Sequence, residues 1–384
     1  MWLIEFLLLA YFFYVVGYTF LFSLAGLWYR HPQQELLQHK KFCILIPCYK
    51  EDGVILEVAN KSLNQTYSNY RVVVIADSLQ PATLLALRKL PIEIIEVTFE
   101  TSTKVKALNA ALNKIENNFD CAVILDADNV MAPDFLDKIN CHFNKETLAI
   151  QGQRKPKNTT NSLSLLDGVS EAINNHIYRQ GTVALGLSSA ISGSGVAFNF
   201  NLLKNTLATM SSVGGFDREL ELLIIQQGSK VNYLKSAIVY DEKVSKAGVF
   251  QNQRKRWISS QYFYLRKYFY AGCKALLKGE ITFFNSAVLR NIQLPRLLNI
   301  GILTALTISL YFFRETLALG YSIWLLLFVL NTFAILIAIP KEFYTFQLLR
   351  SVLKLPFLFI KMFLLLFKLK NANKKFIHTP HGAN

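Results

Sequence analysis

The chain has 384 residues, of which 52% are hydrophobic, 13% aromatic and only 17% charged. Soluble globular proteins average about 25% charged residues, so this composition excludes a disordered chain and points toward a membrane. Residues 246–384 carry 19 Lys and Arg against 3 Asp and Glu, while residues 1–245 carry 22 against 23. A basic excess interleaved with apolar runs suits a cytoplasmic membrane surface and argues against a nucleic-acid partner.

Phe6 to Trp28 carries no charge, which is long enough for the roughly 20 residues that cross a bilayer. No basic segment precedes it and it exceeds a signal-peptide core, so residues 1–29 are expected to hold a transmembrane helix. Arg30, Lys40 and Lys41 place the end of that helix in the cytoplasm.

Short β-branched runs then alternate with helical stretches: Phe42–Ile46, residues 53–63, Val72–Ala76, Ile92–Val97, Lys104–Lys114 and Ala122–Leu125. That alternation predicts βαβ units, hence an α/β domain (residues 38–245) around a mainly parallel sheet. Ligands of such sheets bind at the carboxyl ends of the strands. Pro47, Tyr49 and Glu51 follow the first run, Asp77 the second, and Asp126 and Asp128 the last. Neither a dinucleotide-binding GxGxxG after the first strand nor a GxxxxGK[ST] loop is present, which counts against a nicotinamide oxidoreductase and a P-loop NTPase.

Asp126-Ala127-Asp128 places two carboxylates on one side of an extended segment, where both can reach one divalent cation. Hard oxygen ligands suit Mg²⁺ or Mn²⁺, although an isolated pair also suits a solvated turn. Lys104 opens a helix whose amino end favours an anion, or is simply solvated. Gly193-Ser194-Gly195 allows close backbone approach to a ligand, or forms a plain loop. Asp217 is a candidate N-cap of a helix with Glu219 and Glu221 in its first turns. In Gln253-x-x-Arg256-Trp257 the guanidinium offers a phosphate fork and the indole a sugar-stacking face; a membrane-interface cluster has the same composition.

Residues 246–295 are therefore expected to form interfacial helices. Leu297–Phe313 and Thr316–Ile339, split by Arg314 and Glu315, predict a transmembrane hairpin within residues 296–340. Residues 341–384 carry a basic residue about every seven positions and Pro356, and are expected to lie as an amphipathic tail in the interface. Three spans and a cytoplasmic C-terminus result. The five cysteines form no CxxC, which argues for a reducing compartment and against a zinc site.

Taken in order, these pieces resemble the membrane-integrated family-2 glycosyltransferases, the group that includes cellulose, hyaluronan and poly-N-acetylglucosamine synthases. The resemblance covers about residues 38–300. It rests on Ile46-Pro47-Cys48-Tyr49-Lys50-Glu51, Asp77, Lys104 with Ala107-Leu108-Asn109, Asp126-Ala127-Asp128, Gly193-Ser194-Gly195, Glu219-Leu220-Glu221-Leu222 and Gln253-x-x-Arg256-Trp257. It implies a GT-A fold, a Rossmann-like α/β domain, and an inverting transfer from a UDP-sugar, most simply UDP-N-acetylglucosamine or UDP-glucose. Tyr49, Glu51 and Asp77, beside Pro47, would hold the uridine. Lys104 would lie near the uridine and diphosphate, Asp128 would bind Mg²⁺ or Mn²⁺, and Asp126 would meet the donor sugar or ribose. Gly193, Ser194 and Gly195 would line the acceptor site, Trp257 would stack on the acceptor sugar, and Gln253 and Arg256 would close over the diphosphate.

The family's usual Thr-Glu-Asp is Asp217-Arg218-Glu219 here, so the expected base is Glu219, with Glu221 as its rival. The acceptor would be a polysaccharide or a lipid-linked sugar at the cytoplasmic face of a bacterial inner membrane, in contact with membrane lipids. A homo-oligomer or an export partner would be needed for polymer passage. The alternatives are a catalytically impaired membrane scaffold, which the altered triplet suggests, and, further off, a transporter.

Overall fold

The computed structural model describes residues 2–31, 39–212 and 214–368. Residue 38, the predicted domain start, and the basic end of the tail from Lys370 onward lie outside the described residues.

Eight strands form one sheet: β1 (Phe42–Tyr49), β2 (Tyr70–Asp77), β3 (Glu93–Val97), β4 (Cys121–Ile124), β5 (Val130–Met131), β6 (Ala149–Pro156), β7 (Val196–Asn199) and β8 (Asn232–Asp241). Their order is β3-β2-β1-β4-β7-β6-β8-β5. The first four strands in that order are parallel, as the βαβ reading requires. Beyond β4 the sheet is mixed: β7 runs antiparallel to both β4 and β6, β5 is antiparallel to β8, and β6 and β8 are parallel. Successive side chains of the central strands enter opposite layers. Ile44, Val74 and Val123 pack with Ile55 and Phe135 on one face, and Leu45, Ile75 and Ala122 with Leu108 and Phe198 on the other. Burial on both faces explains why these strands read as continuous apolar runs.

Register sets the functional edge. Tyr49 pairs with Asp77, so β1 and β2 end together; β4 ends earlier, with Ile124 opposite Leu45, and the segment after it carries Asp126 and Asp128 toward the same edge. Pro47 and Tyr49, expected after the first strand, are instead its last residues. Because β7 returns beside β4 with Val196 opposite Ile124, the Gly193–Gly195 loop reaches the same edge.

Two helices, Trp2–Leu27 and Tyr321–Ala338, are long and apolar enough to cross a membrane. The predicted second span corresponds to Arg296–Phe312, which meets that standard only jointly with Ile281–Ile292, from which it is bent by 55°. Among the described residues the apolar helices of that standard thus number two, or three with the bent pair taken as one span. Pro295 causes the break, since it has no N–H to continue a helix and caps the second segment. Phe12 and Val16 pack against Leu303, Trp324 and Leu327, joining the three apolar helices.

Tyr18 and Phe22 of the first helix also pack on Leu165, Val169 and Ile173 of the Ser162–Asn174 helix, which ties the bundle to the sheet domain. Gly181 makes this approach possible: an added Cβ would stand 2.1 Å from the Phe22 carbonyl oxygen. The tail helices Phe346–Val352 and Leu355–Leu366 are each shorter than a span needs.

Candidate active site

A cavity of about 840 Å³ opens at the carboxyl edge of the sheet and runs to the apolar helices. Pro47, Tyr49, Glu51, Asp77, Lys104, Asp126, Asp128, Gly193, Gln253, Arg256 and Trp257 all line it. Ser194, Gly195 and Glu219 do not line it.

The turns after β1 and β2 are strained. Lys50 and Ser78 adopt φ values of 55° and 59°, a left-handed conformation that costs a side chain about 1–2 kcal/mol. The strain is held by the Lys50 amide donating to the Asp77 carbonyl at 3.1 Å. The Ser78 hydroxyl donates to the Asp77 carboxylate at 2.9 Å. Glu51 and Asp77 are both buried at this edge.

Lys104 begins its helix behind the cap Thr103, whose hydroxyl accepts from the Lys106 amide. The Lys104 ammonium donates to the Asp126 carboxylate and, at 2.8 Å, to the Gly193 carbonyl. Ser194 is fully buried and works behind the wall: its hydroxyl oxygen accepts from the Asp126 amide at 2.9 Å. Asn129 satisfies its neighbours when its amide nitrogen faces both Asp128 oxygens at 3.1 and 3.2 Å and its oxygen accepts from Ser194 at 2.6 Å. Gly195, at φ 62°, lies so close to Val239 that a Cβ would meet its Cγ2 at 2.7 Å. Of the expected acceptor loop, then, Gly193 faces the cavity, while Ser194 and Gly195 hold the Asp126–Asp128 segment in place.

The sharpest correction concerns the base. The helix Phe216–Gln226 is capped by Gly215 in the left-handed conformation, not by Asp217. Asp217 instead occupies the first turn and lines the cavity. A Cβ built on Gly193 would lie 3.7 Å from that of Asp217. Residues two apart on a helix diverge by roughly 200°, so Glu219 falls on the opposite side. It is 4% exposed, accepts from the Lys267 ammonium, and takes a 3.4 Å bond from the Tyr264 hydroxyl. Glu221, the other candidate, is clamped by Arg290 at 2.8 and 2.9 Å and by the Ile191 amide at 3.1 Å. Burial pushes the Tyr264 hydroxyl well above its ordinary value, with the Glu219 charge adding to the rise.

The Ala247–Leu277 helix carries the remaining expected groups. Burial lowers the Arg256 guanidinium from its ordinary value, opposed by the attraction of Asp217 and Asp126, with which it lines the cavity. The Gln253 side-chain oxygen is buried with no hydrogen-bond partner among the described residues, so it is available to a hydroxyl donor. Trp257, which lines the cavity, is stacked by Arg254, whose guanidinium lies 4.3 Å from the ring centroid.

Charged groups not anticipated from the sequence complete the walls. Arg154 pairs with Asp241, which also holds Lys243 at 2.8 Å. Arg179 pairs with Glu171 at 2.9 Å and Arg254 with Asp167. Burial would raise the Glu171 carboxyl, but Arg179, then Lys243 and Arg154, hold it well below the usual carboxylate range. The Arg154–Asp241 and Arg254–Asp167 pairs join residues distant in the chain; the placement of Asp241 at a strand's carboxyl end was the one local signal.

Among the described residues no group of three or more His, Cys, Asp or Glu side chains could hold a metal. Asp126 and Asp128 line the cavity two residues apart, and their carboxylate oxygens would fit Mg²⁺ or Mn²⁺, which complete their shells with water and substrate phosphate.

The family profile described as "Glycosyltransferase like family 2" matches residues 39–260. No curated protein matches the chain. Among solved structures, the mannosyltransferase PcManGT from Pyrobaculum calidifontis in complex with GDP-Man and Mn²⁺ aligns with a TM-score of 0.55 at 19% identity, over 84% of this chain and 93% of that one. TarS from S. aureus in complex with UDP-GlcNAc gives 0.38 at 17% identity, covering 54% of this chain and 59% of that one. Glucosyl-3-phosphoglycerate synthase from Mycobacterium tuberculosis with Mn²⁺, UDP and phosphoglyceric acid gives 0.40 at 13% identity, over 57% and 76%. The first of these likenesses shows a shared fold.

Proposed function

The chain belongs to glycosyltransferase-like family 2, and from that premise we propose an active, inverting transferase that moves a sugar from a UDP-sugar to a membrane-presented acceptor. The observation that carries the reading is that Asp126, Asp128, Asp217 and Arg256 line one cavity with Glu51 and Asp77. Glu51 and Asp77, at the ends of β1 and β2, accept from the base and ribose of the nucleotide. Asp128, with Asp126 beside it, would hold Mg²⁺ or Mn²⁺, which when bound offsets the charge on the diphosphate.

Asp217 takes the proton from an acceptor hydroxyl as its oxygen attacks the anomeric carbon. The bond from that carbon to the diphosphate oxygen breaks in the same step. The electron pair leaves with the nucleoside diphosphate, where Arg256 and Lys104 meet the charge. Attack from the face opposite the leaving group turns an α-linked donor into a β-linkage. The altered triplet therefore does not require an impaired scaffold, because its first residue, Asp217, supplies a carboxylate to the cavity. The apolar helices Trp2–Leu27 and Tyr321–Ala338, with the basic C-terminal third, support an integral membrane enzyme whose catalytic domain is cytoplasmic.

The test uses the full chain in detergent with Mn²⁺ and, separately, UDP-N-acetylglucosamine, UDP-glucose and GDP-mannose, reading nucleoside diphosphate release. Release from a UDP-sugar that stops with a chelator and is absent from Asp128→Ala is expected. Chelator-sensitive release at a near-normal rate by Asp128→Ala would overturn the site. Binding of UDP without release from any donor would instead establish the scaffold.

A further inference from the structure

The cavity does not end at the acceptor face of the sheet domain. It continues without a break to a floor made by Phe328, Ile335, Leu348, Leu355 and Met362. These come from the membrane helix Tyr321–Ala338 and the two tail helices. Nothing in the transfer chemistry requires an apolar half of the cavity.

Between the two halves stands Arg296, the first residue of the Arg296–Phe312 helix and part of the cavity wall. One of its terminal nitrogens donates to the Ser170 carbonyl at 3.0 Å, the Ser170 hydroxyl at 3.1 Å and the Asn174 side-chain oxygen at 2.8 Å. The other, Nη1, is buried with no hydrogen-bond partner among the described residues. Arg154, Arg179, Arg254 and Arg290 on the same walls each hold a carboxylate. Arg296 has neutral partners only. Arg254 is near enough to repel it, and the Arg254 Nε is likewise buried without a partner. Of these two guanidiniums only Arg254 holds a carboxylate, Asp167, and between them two buried N–H donors are unmet; that is a site for an anion with several acceptor oxygens.

The order along the wall follows from these partners. Arg256 lines the cavity with Asp126 and Asp217, Trp257 is stacked on Arg254, Arg254 and Arg296 bind one face of the Ser162–Asn174 helix, at Asp167 and at Ser170 and Asn174, and the apolar floor follows. We propose that the acceptor is a sugar carried on a lipid phosphate: the sugar lies between Asp217 and Trp257, the phosphate between Arg254 and Arg296, and the chain along the apolar floor. This rests on the transferase reading and specifies its acceptor; the bonds made and broken are those already given, with the phosphate serving as a handle. A polysaccharide acceptor would need neither an unpaired guanidinium nor a floor of Phe328, Leu355 and Met362.

The experiment measures binding of hexadecyl phosphate, hexadecanol and inorganic phosphate to the full-length protein in micelles, beside UDP with Mn²⁺. Hexadecyl phosphate should bind and the other two probes should not, since both halves of the ligand are needed. Arg296→Met should weaken hexadecyl phosphate about 10-fold or more, the scale of a lost charged hydrogen bond, and leave UDP binding unchanged. Leu355→Trp, which fills the apolar half without touching a charge, should do the same and guards against a folding defect in the first variant. Equal binding by inorganic phosphate would reduce the site to a free-anion site and overturn the proposal. So would unchanged hexadecyl phosphate affinity in both variants. Failure of the wild type to bind UDP would sink the transferase reading itself, whereas UDP binding without hexadecyl phosphate binding would sink this inference alone.

Discussion

The Lys104 ammonium joins Asp126 to the Gly193 carbonyl, so one side chain connects the end of β4 with the loop that re-enters as β7. A donor sugar bound at Asp126 and an acceptor beside Gly193 are thus held in register by the same cation. Replacing Lys104 with Met removes two charged hydrogen bonds, each of order 1.5–3 kcal/mol. Steady-state kinetics should show a donor KM raised at least ~10-fold together with a lower kcat. Unchanged constants would mean that Lys104 is only a surface cation.

On the proposed reading, Glu219, bound to Lys267 and Tyr264, serves stability rather than proton transfer. In Glu219→Gln the Lys267 ammonium loses its partner, but Lys267 is about half exposed and water screens it. The cost should be about 1–2 kcal/mol, seen as a lowered Tm. Turnover should stay within ~10-fold of the parent. A loss of ~10²-fold or more with an unaltered Tm would return Glu219 to the role of base.

His176 gives the fold a pH dependence. Its Nε2 lies 2.8 Å from the Ser23 carbonyl and must be the donor, because a carbonyl only accepts. Burial pushes the imidazole below its ordinary value of 6.5, the bond to Ser23 partly opposing this. The unfolded chain therefore takes up a proton first as pH falls, so this contribution is fully present above about pH 6.5 and is lost below it. Thermal melts between pH 7.5 and 5.5 should show a fall in Tm that is shallower in His176→Gln. Parallel curves for the two proteins would contradict the assignment.

The half of the sheet that could be read from the sequence is the half that is parallel and buried on both faces. Its strands are unbroken runs such as Cys43–Ile46 and Val72–Ala76, and the carboxylates follow them directly. Strand β6, Ala149–Pro156, hides its identity: Gln151, Gly152, Gln153, Arg154 and Lys155 replace apolar residues, because this strand builds the charged wall. Buried Gln151 is accommodated by donating to the Ser194 carbonyl at 3.0 Å, a contact no local pattern announces. The place of Asp217 was misread for a related reason. Asp217 looks like a cap in sequence, and only the left-handed Gly215 before it starts the helix early enough to turn Asp217 toward the cavity. The bent pair was missed because apolar composition does not register the 55° turn at Pro295.

The account stands on Asp217 as the group that accepts the acceptor's proton. Its direct test is to measure donor affinity and single-turnover sugar transfer for Asp217→Asn beside the parent protein, in the presence of Mn²⁺. The account predicts unchanged affinity for the UDP-sugar, since Asp217 lies on the acceptor side, with transfer slowed at least ~10²-fold. Transfer at the parent rate by Asp217→Asn would contradict it.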